Sequence, residues 1–211
     1  MFNNRTNVLK LTQMSLLLAL ELILSFTPLG FILIPPVAIT LLHIPVIIAA
    51  ILLGPACGAI LGGVFGLISI FKATTAATSP VDMAFSPFVS GKPLASLLMA
   101  LGTRILFGLI AGLLFMALRK VIKSQLLSIT ITAVISTILH TCMVLGCLAL
   151  FFNDLGVGLI SILITIVSLN GILEIAVGAI VTGAICNPLL KMMRHTTSHA
   201  KPLNPAAPVG R

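Results

Sequence analysis

The 211-residue chain has no tryptophan, no tyrosine and only four acidic residues. Phenylalanine is therefore the only large aromatic side chain on which a planar ligand can stack. Charged residues make up 8% of the sequence, hydrophobic residues make up 59%, and the mean hydropathy is +1.25. Water-soluble domains of average composition do not reach these values. The composition therefore indicates that the protein is embedded in lipid.

Several motifs that carry chemistry are also missing. Cys57, Cys142, Cys147 and Cys186 lie in apolar runs without C-x-x-C spacing, so we predict neither disulfides nor a metal site. The glycine-rich stretch at 62–66 lacks the Gly-Lys-Ser/Thr ending of a phosphate-binding loop, so this chain is not predicted to hydrolyse ATP. His140 and Cys142 face different directions on a helix, which argues against a Cys–His couple. We predict no catalytic residue and no enzyme activity.

Long apolar segments predict an all-α integral membrane protein, a bundle of six transmembrane helices. A helix needs about 20 residues to cross ~30 Å of hydrocarbon. The first segment ends in Thr27-Pro28 rather than at a small-residue cleavage site, so we interpret it as a helix and not as a signal peptide. The predicted spans are Val8–Phe26, Val37–Leu53, Ala56–Phe71, Leu94–Leu118, Leu126–Phe151 and Val157–Ile185. Residues 1–190 then form one domain, followed by a disordered polar tail at 191–211.

Proline and glycine mark the predicted boundaries between these spans. We expect breaks at Pro28, Pro35-Pro36, Gly54-Pro55 and Asn187-Pro188. Pro45 is expected to kink the second span, and the short link at Gly54-Pro55 predicts a helical hairpin of the second and third spans. The connection from Lys72 to Pro93 is rich in proline, and we predict an irregular loop that acts as an external lid.

Basic residues predict the orientation in the membrane. With the N-terminus inside, eight basic residues fall on the cytoplasmic side: Arg5, Lys10, Arg119, Lys120, Lys123, Lys191, Arg194 and Lys201. Lys72, Lys92, Asp82 and Asp154 then lie outside, in agreement with the positive-inside rule. The formal charge of +8 is therefore explained by topology, and we predict no nucleic-acid partner.

Small residues recur at helical spacing. Gly54, Gly58, Gly62 and Gly66 lie along one face of the third span, and Gly108-x-x-x-Gly112 and Ser15-x-x-x-Ala19 repeat the pattern. This spacing favours close contact between helices, either inside the bundle or with a partner.

Four polar residues inside the predicted spans converge in depth. Arg104, His140, Asn170 and Glu174 all fall near the midplane or in the outer half at helical rise. Two interpretations remain open. One is an Arg104–Glu174 ion pair that only fixes packing, with Asn170 bonded to a carbonyl; the other is a solute pocket open to the outside, which His43 could join. Glu21 in the first span stays ambiguous.

Several strings together resemble the substrate-binding S components of energy-coupling factor (ECF) vitamin transporters. They are Thr27-Pro28-Leu29-Gly30, His43-Ile44-Pro45-Val46-Ile47, Leu52-Leu53-Gly54-Pro55, Gly62-Gly63-Val64-Phe65-Gly66-Leu67, Phe85-Ser86-Pro87-Phe88, Arg104-Ile105-Leu106-Phe107-Gly108 and Asn170-Gly171-Ile172-Leu173-Glu174. The resemblance implies a subunit of the bacterial plasma membrane with both termini in the cytoplasm. It also implies a transmembrane T component and two ATPase subunits as partners. ATP and Mg would then bind on those ATPases, with no cofactor in this chain.

The resemblance further implies residue roles. Ser15-x-x-x-Ala19 takes the place of the Ala-x-x-x-Ala-like motif that contacts the T component, and the S component topples to carry its vitamin inward. The chain looks most like the pantothenate members, and Arg104 suits a carboxylate. The predicted ligand contacts are His43, Phe85, Ser86, Arg104, His140, Asn170 and Glu174. The alternatives are another vitamin or precursor (riboflavin, folate or hydroxymethylpyrimidine), a membrane-embedded enzyme, or an autonomous channel.

Overall fold

The computed structural model of the protein describes residues 4–27, 30–34, 37–77, 80–152, 164 and 168–199. Its helices are α1 Asn4–Phe26, α2 His43–Leu53, α3 Pro55–Thr75, α4 Pro80–Met83, α5 Pro93–Leu97, α6 Thr103–Val121, α7 Gln125–Phe151 and α8 Leu169–His199. Five helical stretches are long and apolar enough to cross a membrane: Val8–Phe26, Pro55–Thr75, Pro93–Val121, Gln125–Phe151 and Gly171–Met193. A multi-pass helical membrane protein is confirmed, whereas a sixth span is not found within the described residues.

The second predicted span differs most from the structure. Its first residues form strand β2 (Val37–Thr40), which pairs antiparallel with β1 (Phe31–Ile34). Valine, isoleucine and threonine favour strands, so this apolar run is compatible with a β-hairpin as well as with a helix. The remaining helix α2 has 11 residues, too few to cross the hydrocarbon, and nearly all of it is buried. The predicted start of this helix at Val37 is therefore wrong, because the helix begins at His43.

The expected kink at Pro45 is also wrong. Pro45 is the third residue of α2, in the first turn, where no backbone N–H is needed for the helix. At the other end of α2, Gly54 has a φ of 98°, and Pro55 begins α3 at once. Glycine adopts this left-handed conformation without steric cost. The predicted helical hairpin of α2 and α3 is confirmed.

The glycine face of α3 lies directly against the backbone of the fourth span. A Cβ atom at Gly58 would meet the carbonyl of Gly108, and a Cβ at Gly62 would meet the carbonyl of Arg104. At Gly66 the added atom would lie 2.6 Å from the carbonyl oxygen of Ala100. The glycines of α3 therefore allow the backbones of two helices to come into direct contact, as small residues commonly do in membrane bundles.

The fourth span contains a π-helical turn that was not predicted from its sequence. Helix α5 runs without a break through a π-helical turn at Leu98–Gly102 into α6. In this turn the N–H of Thr103 donates to the carbonyl of Leu98, and the Thr103 hydroxyl donates to the carbonyl of Met99 at 2.5 Å. Such turns insert one residue into a helix and are common at functional sites.

Helix α8 continues through the predicted break at Asn187-Pro188 and ends at His199. That predicted end of the sixth span is wrong. Gln125 Nε2 donates to the backbone carbonyl of Asn187 at 3.0 Å and to its side-chain oxygen at 3.1 Å. These bonds tie α7 to α8 next to Pro188. Residues 157–163 and 165–167 of the predicted span and 200–211 of the predicted tail lie outside the described residues.

The predicted lid loop begins later than expected. Helix α3 includes Lys72 and ends at Thr75, the one-turn helix α4 follows, and the segment from Ala84 to Lys92 consists of turns. Two side chains fasten this segment, because Ser96 Oγ donates to the carbonyl of Ala84 at 2.6 Å and Lys92 Nζ donates to the carbonyl of Phe151 at 2.8 Å. The loop that precedes α5 is therefore tied to the bundle at both ends.

The α3–α6 contact predicts a difference between two adjacent glycines. Gly62→Ala should destabilise the protein by roughly 1–3 kcal/mol because the new methyl group meets backbone. Gly63→Ala is the control, since its Cβ would only touch Ile105 Cγ1 at 3.5 Å, and helix propensity favours alanine by about 1 kcal/mol. Thermal unfolding in detergent, followed by size-exclusion chromatography, measures both variants. Equal midpoints would contradict the backbone contact.

Candidate functional site

Five of the predicted ligand contacts lie in one group at the end of the bundle that carries the loop before α5. We call this group the polar–aromatic cluster. It contains Glu174, His43, His140, Phe65, Phe107, Arg104 and Phe85. Its members come from α2, α3, α6, α7, α8 and the loop after α4. The helices thus bring together residues that are far apart in the sequence.

Arg104 is the charged centre of the cluster, and its side chain is only 6% exposed. The guanidinium carbon lies 4.6 Å from the centre of the Phe65 ring and 4.9 Å from that of Phe85. Its Nη1 donates to the carbonyls of Met99 at 3.0 Å and Ala100 at 3.1 Å, and its Nε has no hydrogen-bond partner among the described residues. A cation between aromatic faces keeps the edge of its planar fork for an anion.

Two histidines connect Arg104 to α8. His43 is fully buried, and its Nδ1 lies 3.4 Å from Glu174 Oε1. Its ring stacks on His140 with centroids 6.1 Å apart and an interplanar angle of 15°. His140 in turn lies 4.9 Å from the Phe107 ring and 5.8 Å from Phe65. The path from Glu174 to Arg104 is therefore continuous through ring contacts.

The expected Arg104–Glu174 ion pair is not present among the described residues. Glu174 pairs with His43, and Arg104 is bonded to the two carbonyls of the π-helical turn. The π-helical turn supplies acceptors close to the guanidinium within its own helix, so the charge is stabilised without the carboxylate. The ion-pair interpretation of this site is wrong, and Glu174 remains 18% exposed beside the cluster.

Ser86 and Asn170 are placed less directly. Ser86 is buried, shares a hydrogen bond of 2.8 Å with the hydroxyl of Thr74, and accepts from the N–H of Phe88 at 3.3 Å. Its side chain thus fastens the loop to α3 next to Phe85. The backbone of Asn170 lies in the first turn of α8, but its side chain lies outside the described residues.

Four further residues of this region were not predicted from the sequence as parts of the site. Phe65 and Phe107 form ring contacts with His140, and Thr137 and Gly178 lie next to the histidine pair. Spacing could have indicated the last two, since Thr137 is three residues before His140 and Gly178 is four residues after Glu174. The two phenylalanines look like ordinary packing residues in an apolar span.

The predicted partner contact is on a different surface. Ser15 and Ala19 are both exposed on α1, and the Ser15 hydroxyl donates to the carbonyl of Leu11 at 2.9 Å. That bond leaves a small, apolar face, flanked by the exposed side chains of Leu16 and Ile23. Glu21, which stayed ambiguous in the sequence, lies on the opposite side of α1 and is fully buried.

Comparison with known proteins identifies the family. The family model described as ECF transporter, substrate-specific component, matches residues 9–186. The pantothenic acid transporter PanT of Lactococcus lactis subsp. cremoris is 37% identical over 163 residues, which cover 74% of this chain and 80% of that protein. The pantothenate transporter PanT of Leuconostoc mesenteroides subsp. mesenteroides is 33% identical over 208 residues, which cover 90% and 95%. The matched range contains every member of the polar–aromatic cluster. Because the family model covers most of the sequence and both relatives are more than 30% identical, the chain is a substrate-specific component of an ECF transporter.

Proposed function

We propose that this chain binds pantothenate from outside the cell and delivers it inward as the substrate-binding subunit of an ECF importer. The observation that carries the proposal is the buried guanidinium of Arg104, held between two phenylalanine rings at one end of the bundle. Two relatives that carry the name of pantothenate transporters, similar over most of their length, support the choice of substrate.

The chemistry of the cluster suits this ligand. Pantothenate has one carboxylate, one amide, two hydroxyl groups and no planar ring. A carboxylate accepts two parallel hydrogen bonds from a guanidinium, which favours Arg104 as its partner. The methyl groups of the ligand suit the Phe107 ring, and its polar groups suit His43, His140, Glu174, Asn170 and Ser86.

The other vitamins are less well supported. Riboflavin, folate and hydroxymethylpyrimidine contain flat rings that would need an aromatic face. The faces of Phe65 and Phe85 are turned towards Arg104. A flat ring would have to displace the guanidinium, whereas a carboxylate leaves it in place. Because the family consists of transport subunits, the membrane-embedded enzyme and the autonomous channel are not supported.

The partner subunits and orientation belong to the same proposal. The exposed small face at Ser15 and Ala19 would receive the T component, and two ATPase subunits would supply the energy from ATP and Mg. The distribution of basic residues supports cytoplasmic termini in the bacterial plasma membrane. The loop that carries Phe85 would then lie outside and close over the ligand.

Removal of the charge should test the carboxylate contact. We expect Arg104→Ala to raise the Kd for pantothenate by roughly 10- to 100-fold, because charge-assisted hydrogen bonds contribute about 1.5–3 kcal/mol. Arg119→Ala is the control, since Arg119 lies at the far end of α6 and donates to the carbonyls of Ile122 and Lys123. Isothermal titration calorimetry of the purified protein with a vitamin panel measures the effect. Tight binding of riboflavin without pantothenate binding would overturn the proposed substrate.

The partner face gives a second prediction. Ser15→Trp or Ala19→Trp should reduce copurification with the T component by roughly tenfold or more, because close contact of small residues leaves no room for an indole ring. Binding of pantothenate should not change, since α1 presents these residues away from the cluster. Leu113→Trp provides the matched control, as Leu113 is 49% exposed on α6. Normal copurification of both α1 variants would contradict the docking face.

A further inference from the structure

Three hydroxyl groups on α7 donate to the backbone carbonyl four residues earlier. The Ser128 hydroxyl donates to the carbonyl of Ser124 at 3.0 Å, Thr132 to that of Ser128 at 2.7 Å, and Thr141 to that of Thr137 at 3.2 Å. A buried hydroxyl without a hydrogen bond is destabilising, so this local solution is favoured in apolar surroundings.

Ser136 and Thr137 are buried hydroxyl residues of α7 that depart from this pattern, since neither hydroxyl has a hydrogen-bond partner among the described residues. Of the two, Thr137 lies next to the histidine pair. Its hydroxyl oxygen is turned towards α8, because it lies 3.4 Å from the position that a Cβ atom at Gly178 would occupy. His43 Nε2 lies 3.2 Å from the same position. Two polar atoms from different helices, α2 and α7, therefore converge on a position where α8 has no side chain.

Gly178 also differs from the glycines that allow helices to touch. Added Cβ atoms at Gly62 and Gly108 would meet backbone carbonyls of the neighbouring helix, whereas at Gly178 the nearest atoms are the side-chain polar atoms of His43 and Thr137. Contact with the backbone of a neighbouring helix therefore does not explain a glycine at this position. A side chain there would instead press on two polar groups, the ring of His43 and the hydroxyl of Thr137.

We propose that Thr137, Gly178 and His43 form a second polar subsite, which binds a hydroxyl group of the substrate while Arg104 binds the carboxylate. This assignment rests on the proposed function and adds the orientation of the ligand, with its carboxylate at Arg104 and a hydroxyl group at Thr137. His140 is one turn from Thr137 and contacts Phe65, the ring that also carries Arg104. The two subsites thus lie on either side of His140. An elongated ligand with a charge at one end and hydroxyl groups at the other matches this arrangement.

Four single variants of the full-length protein test the subsite, with pantothenate as the probe. Thr137→Val removes the hydroxyl at constant shape, and Gly178→Ala places a methyl group against His43. Each should raise the Kd for pantothenate by roughly tenfold, as measured by isothermal titration calorimetry. Thr132→Val and Gly183→Ala are the matched controls. Thr132 is bonded within α7, and a Cβ at Gly183 would make only ordinary contacts, the nearest to Leu126 at 3.6 Å.

Two analogues, each lacking one of the two hydroxyl groups of pantothenate, separate direct contact from a general disturbance. For the analogue without the contacted hydroxyl, wild type and Thr137→Val should bind equally. Wild-type affinity of both Thr137→Val and Gly178→Ala for pantothenate would overturn the subsite and leave the proposed function standing. So would an equal loss for pantothenate and both analogues. Failure of the wild-type protein to bind pantothenate would overturn the proposed function, and the subsite with it.

Discussion

The buried charge of Arg104 is the constraint on which the rest of the structure depends. An arginine inside a lipid-immersed bundle is tolerated only when its charge is stabilised by nearby groups. Here the π-helical turn supplies two carbonyls, and Phe65 and Phe85 supply two aromatic faces. Phe65 reaches the guanidinium because the glycines of α3 bring that helix against the backbone of α6. The glycines of α3, the π-helical turn and Arg104 therefore form one unit, and the proposed recognition of a carboxylate depends on it.

Much of this site could be predicted because polar residues are conspicuous in apolar spans. The positions of Arg104, His140, Asn170 and Glu174 along their helices were enough to expect a common depth, in a pocket that His43 could join. The structure places His43, Arg104, His140 and Glu174 together, and the side chain of Asn170 lies outside the described residues. Their pairing could not be predicted. The π-helical turn lies in a run of apolar residues that looks like regular helix, yet it changes the acceptors within reach of Arg104 and leaves Glu174 for His43.

Other features were missed because their sequences fit two structures equally well. The run Val37–Thr40 has no periodicity that separates a strand from a helix, and only its pairing with β1 shows which one forms. Gly178 looks like any small residue of a membrane helix until its neighbours are known. What distinguishes it is the chemistry of the atoms around the missing Cβ, which belong to α2 and α7. The spacing from Glu174 places Gly178 on the same face of α8, but the identity of the surrounding atoms is tertiary information that spacing does not give.

Helix α2 connects the polar–aromatic cluster with α1. His43 is the first residue of α2 and contacts Glu174, while Leu17 and Leu18 of α1 pack against the core that α2 dominates. A ligand can bias the docking of a partner only through a difference in interaction energy between two arrangements. In this bundle α2 offers one route for such a difference, because His43 belongs to the polar–aromatic cluster and the same helix packs against α1. Helix α2 is enclosed by its neighbours, so it needs only enough residues to pack against them and not the length of a membrane span. This explains why α2 is short.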